Sequence, residues 1–195
     1  MNNKTFKFVN TLYVIMITNI LAIVYLALGL FSFTLVPVIF TVIEVMKELI
    51  DEEIDGYSGI IKYFTSKFLI NLMKHKREEV LTGIYTLMLL IAIFLLKRIS
   101  IPYATSVNML FMYIYTIISV YWSYYALRTL YEEKNFNYMN IVIIMFKNIK
   151  ALLKTIFIFI ALILLGIAMK EILVLFSISL FGFLFVKLNH KAITN

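Results

Sequence analysis

VIEVMKELIDEEIDGYSGIIKYFTSKF, from Val42 to Phe68, is the stretch on which the reading of this chain turns. It joins two strongly apolar regions and carries six of the eleven acidic residues: Glu44, Glu48, Asp51, Glu52, Glu53 and Asp55. Glu44, Lys47, Glu48 and Asp51 recur at spacings of three and four, which makes one polar stripe on a helix emerging into water. An acidic elbow at Asp51–Gly56 follows. Beyond it, Ile60, Phe64, Phe68 and Leu72 repeat every four residues, with Lys62, Thr65, Ser66 and Lys74 elsewhere. That pattern predicts an amphipathic helix lying along a membrane interface, with Phe64 and Phe68 turned inward.

Working outward, the chain is too apolar for a soluble domain. Of its 195 residues 63% are hydrophobic and 15% charged, with a mean hydropathy of +0.95. No water-soluble domain of this length covers so much apolar side chain. Apolar runs at about 9–29, 33–46, 80–96, 106–127, 151–169 and 172–186 approach or reach the ~30 Å hydrocarbon core at about 1.5 Å per residue. The expected fold is an all-α integral membrane protein, a six-helix transmembrane bundle with two cytoplasmic amphipathic segments, forming a single domain over 1–195. No cleavable signal is expected, because the first run continues past a signal core and lacks a small-residue cleavage site.

Charge sets the expected orientation. Fifteen of the eighteen Lys and Arg residues fall in the N-terminus, the second and fourth loops and the C-terminus. Such a bias predicts a multi-pass protein of the cell membrane with both termini cytoplasmic. The net charge of +7 is explained by orientation and anionic lipid, since the basic residues sit beside apolar runs; no nucleic acid is expected. A faint internal repeat pairs Lys47–Glu52 with Arg128–Glu133, each followed by an amphipathic stretch and a further span.

No chemistry-bearing motif emerges. The chain has no cysteine, which excludes disulfides and thiolate sites. Asp51, Glu53, Asp55 and Gly56 match the start of a calcium loop, but Lys62 stands where the closing Glu belongs. His75 and His190 lack metal-ligand spacing, and there is no zinc-protease motif, phosphate loop or nucleophile elbow. No enzyme and no cofactor are expected. No expected span carries a mid-membrane acid or base, which weighs against an ion-coupled transporter. Asn19, inside the first span, is expected to bond between helices.

The fourth span is the most distinctive. Tyr113, Tyr121, Tyr124 and Arg128 share a stripe with Ser106, Leu110 and Ile117, while Asn108, Thr116, Ser119 and Ser123 lie on another face. Aromatic faces beside hydroxyls suit a sugar; interhelical packing, with Trp122 as an interfacial anchor, is the favoured reading. A cytoplasmic contact surface is expected at Asp51, Glu52, Glu53, Tyr57, Phe64 and Phe68.

Leu35-Val36-Pro37, the elbow Asp51–Tyr57, Lys62-Tyr63-Phe64, and later Tyr125–Arg128 with Phe146-Lys147-Asn148 resemble the YesL-like family of bacterial membrane proteins, a domain of unknown function. This sequence departs from that pattern at Glu44, where an apolar residue is expected, and by two extra residues in the elbow. The resemblance implies an accessory or regulatory role in carbohydrate uptake or utilisation, with the lipid bilayer and a carbohydrate transporter complex as partners. The alternative is a small transporter or channel with substrate along the fourth span. Its hallmark is a continuous polar cavity reaching the bilayer midplane.

Overall fold

The computed structural model describes residues 3–30, 32–51, 59–98, 104–132, 138–168 and 170–194, and these are all-helical. Eight helices are described: α1 (Asn3–Leu28), α2 (Leu35–Ile50), α3 (Ile60–Lys74), α4 (Lys76–Arg98), α5 (Ala104–Glu132), α6 (Tyr138–Lys147), α7 (Ile149–Ala168) and α8 (Lys170–Thr194). Each apolar run found in the sequence falls within or largely over one of the long helices. Among the described residues, two stretches, Thr5–Leu28 and Thr105–Tyr131, are both long and apolar enough to cross a membrane. Phe176–Asn189 is a shorter apolar helix.

Helix α2 is the hub. Ten of its sixteen residues, from Leu35 to Met46, are buried, and it packs against α1, α3, α4, α5 and α8. From Leu35 to Ile43 every α2 position but Thr41 is apolar, so every face of this part of the helix needs cover, which accounts for its central position. The approach of α8 is close at Gly182, where an added Cβ would stand 2.7 Å from Val42 Cγ1.

The α1–α2 turn is fixed by Gly29 and Leu30. A Cβ on Gly29 would fall 2.3 Å from Thr34 Oγ1, whose hydroxyl donates to Tyr25 O at 2.8 Å. Leu30 adopts φ 52°, the left-handed conformation that closes many helix ends, and its N–H donates to Ala27 O at 3.1 Å.

Helix α3 departs from expectation. It does not stand apart but runs antiparallel along α2: Tyr63 meets Glu48, Lys67 meets Glu44, Asn71 meets Thr41, and the His75 ring meets Phe40 at a tilt of 36°. The chain therefore returns from the elbow to the level of α2's first turn, where Glu79 of α4 meets Val36. The basic run Lys74–Arg77 thus sits at the same end of α2 as the Gly29–Thr34 turn. The charge pattern assigns those two segments to opposite faces of a membrane.

The other helices differ in cover. The C-terminal half of α5 is buried from Trp122 to Leu127, whereas Met109, Leu110, Tyr113 and Ile117 in its N-terminal half are exposed. Large apolar side chains are likewise exposed along α1, α4, α6 and α7, among them Phe8, Met88, Phe94, Phe146 and Phe157.

Candidate functional site

The α2–α3 seam joins Glu44 and Glu48 of α2 with Lys67 of α3 in one polar network. Four-residue spacing puts Glu44 and Glu48 on one face of α2, and Tyr63, Lys67 and Asn71 on the facing side of α3. Lys67 Nζ lies 2.6 Å from Glu44 Oε1 and 3.9 Å from Glu48 Oε1. Asn71 Nδ2 donates to Thr41 Oγ1 at 3.2 Å and to Glu44 Oε2 at 3.3 Å, and the Tyr63 hydroxyl donates to Glu48. Burial works against the Lys67 charge, but the Glu44 hydrogen bond and the two carboxylates outweigh it and raise its pKa. These acids clip one helix to another. Asp51 likewise pairs with Lys47 at 2.9 Å.

The expected contact surface is accordingly redrawn. Phe64 and Phe68 are 0% and 4% exposed, stacked on Tyr25 of α1 with ring centroids 5.8 and 4.2 Å away. They belong to the core, because the apolar face of α3 found α1 and α2 to bury against. Asp51 is exposed; Glu52, Glu53 and Tyr57 lie outside the described residues, as does most of the calcium-like loop. Among the described residues no group of three metal-ligating side chains is assembled.

The tyrosine stripe of α5 crosses two environments. Tyr113 is exposed, Tyr121 and Arg128 are half-buried, and Tyr124 is 1% exposed. The Tyr124 hydroxyl donates to Asn189 Oδ1 at 2.9 Å, and Asn189 Nδ2 donates to Thr155 Oγ1 at 3.3 Å, joining α5, α8 and α7. Asn19 bridges α1 and α8 as its position in the first span suggested: Oδ1 accepts from the Ile178 and Ser179 N–H groups at 2.8 and 3.1 Å.

A cavity of about 500 Å³ lies between α1, α2, α5, α7 and α8. Its walls are mainly Ile, Leu, Val and Phe, with Tyr115, Ser119, Ser123 and Ser177 the polar contributors. Ser119 and Ser123 spend their hydroxyl protons on the carbonyls of Tyr115 and Ser119, at 3.0 and 2.8 Å. Their donors face their own helix, so the cavity is chemically apolar along α5. A second hollow of about 360 Å³ lies between α4 and α5, beside Tyr121 and Trp122.

One acid takes on a role the sequence did not signal. Glu79, 4% exposed, accepts the Val36 N–H at 3.0 Å on Oε2, and the Leu35 N–H dipole also acts on its carboxyl group. Thr34, the residue before α2, makes no side-chain cap. Pro37 has no N–H, and Val38 N–H already donates to Thr34 O at 3.0 Å. Glu79 therefore takes the Val36 donor that α2's own N-cap side chain leaves unmet. The sequence signal available was an acid at the edge of an apolar run, forty-three residues from the amide it caps.

Comparison with known proteins returned no match to any family model, curated protein or solved structure.

Proposed function

We propose that this chain is a multi-pass protein of the cell membrane that acts as an accessory or regulatory component in carbohydrate uptake or utilisation. The observation that carries the membrane reading is the array of large apolar side chains exposed on the long helices. Phe8 is 63% exposed, Met88 65% and Phe157 73%. In water such a belt drives aggregation; in a bilayer it is the ordinary outer surface. Six apolar runs at helix positions support the multi-pass arrangement.

The choice of accessory protein over transporter rests on the cavity. A transporter of polar solutes needs groups that replace the solute's water, and the α5 serines facing this cavity donate to their own backbone. The carbohydrate link comes from the YesL-like resemblance, which also supplies the proposed partner, a carbohydrate transporter complex. Purification from native membrane with identification of retained proteins is the test. Retention of a sugar-transporter subunit is expected; a chain that carries only lipid contradicts the accessory role.

A further inference from the structure

Glu79 and His75 stand one helical turn apart across the α3–α4 break, and the Glu79 N–H donates to His75 O at 2.9 Å. Both side chains are more than nine-tenths buried, at 4% and 3% exposure. Each also holds one polar atom, Glu79 Oε1 and His75 Nε2, with no hydrogen-bond partner among the described residues. A buried orphan of this kind calls for an explanation, since ordinary cores satisfy such atoms. The His75 ring lies on Phe40 of α2 with centroids 4.0 Å apart, and faces Tyr125 of α5 edge-on at 6.4 Å. Three helices thus meet at two titratable groups, one of which caps the first turn of α2.

We propose that Glu79 and His75 form a protonation-sensitive latch: with both side chains neutral, α4 holds the first turn of α2, and charge on either one loosens that hold. The neighbouring ionisable groups leave both responsive. On α2, Leu35–Phe40 contains none. From α5 Tyr125 approaches, and at the end of α3 stands Lys74. On α4 itself are Lys76, Arg77 and Glu78, with Glu78 acting on His75 and on Tyr125. Burial raises Glu79 to about 7, outweighing the Val36 and Leu35 N–H groups, which pull the other way. For His75, burial again dominates and lowers the pKa, Glu78 partly opposing and Lys74 assisting.

The signs are opposite. Glu79 binds its proton more tightly in the closed latch than in water. The closed form is therefore fully favoured below the ordinary 4.5 and loses that advantage as pH rises to about 7. His75 binds its proton less tightly when closed, so the closed form weakens as pH falls below 6.5. In the wild type the two slopes oppose one another, and separating them exposes the device.

Hydrogen–deuterium exchange of the detergent-purified chain, read on the peptide containing Leu35 and Val36 and corrected for intrinsic pH dependence, makes the separation. His75→Phe keeps an aromatic ring on Phe40 and leaves Glu79 alone. Protection should fall by about tenfold or more between roughly pH 5 and 8, levelling off above about 7. Glu79→Gln keeps an acceptor for the Val36 amide and leaves His75 alone, so protection should instead rise with pH up to 6.5 and then flatten. The double variant should show no dependence. Equal slopes in both single variants, or a slope that persists in the double variant, would overturn the latch.

Discussion

Helices α3 and α6 are the two short amphipathic helices, each following in sequence an apolar helix and acidic residues, Asp51–Asp55 before α3 and Glu132-Glu133 before α6. They pack very differently. Helix α3 buries Ile60, Phe64, Phe68 and Asn71. In α6, by contrast, Ile141 is buried while Met139, Val142, Ile143 and Phe146 are exposed. The cause lies in the helix that precedes each one. Aligning Lys47 with Arg128 sets Glu44 and Glu48 opposite Tyr125 and Thr129, so α5 lacks the carboxylates that receive Lys67 and Tyr63 on α2. Tyr125 is turned instead toward Phe40 and His75. Two amphipathic helices thus meet two outcomes, and the acids of α2 are one difference between their settings.

The largest test of that contrast is a pair of truncations. Phe64→Ala opens a hole under Tyr25 and should cost about 3–5 kcal/mol, whereas Phe146→Ala on the exposed face of α6 should change stability by about 0.5 kcal/mol or less. Thermal unfolding in one detergent measures both, and equal losses would erase the distinction. A middle-sized effect is expected at Glu44. Glu44→Ala leaves Asn71 and Lys67 short of a partner, and a cost of about 1–3 kcal/mol is expected, discounted toward the lower end because Lys67 is 30% exposed. A variant as stable as wild type would remove the seam as the cause.

How far these features were legible follows from their range along the chain. Helix positions were readable because apolar periodicity, the Gly29–Thr34 turn and the acidic elbow are local signals. The inward face of α3 was also readable from Phe64 and Phe68. What those rings bury against was not, because Tyr25 lies about forty residues away and the amphipathic pattern suits a bilayer equally well. Glu79 was hidden for the same reason. Its function is defined by the missing cap at Thr34 and the missing N–H at Pro37, both in another helix. The α5 stripe was legible as a face, but α2, α7 and α8 cover only the end that holds Tyr124.

The smallest expected effect concerns that stripe. Replacing Tyr113, Tyr121 and Tyr124 by Phe keeps every ring and removes the single bond to Asn189, at about 1 kcal/mol. In a sugar-growth assay that the wild type supports, the triple variant should remain active. Loss of activity at normal abundance would favour the transporter alternative.

The return of α3 along α2 is most directly tested by sidedness. The chain has no native cysteine, so single cysteines at Leu30, 67% exposed, and at Lys76, also exposed, can be labelled with an impermeant maleimide. The antiparallel register puts both at the start of α2 and predicts labelling from the same side of the membrane. Labelling from opposite sides, as the charge pattern alone requires, would contradict the hairpin on which this account rests.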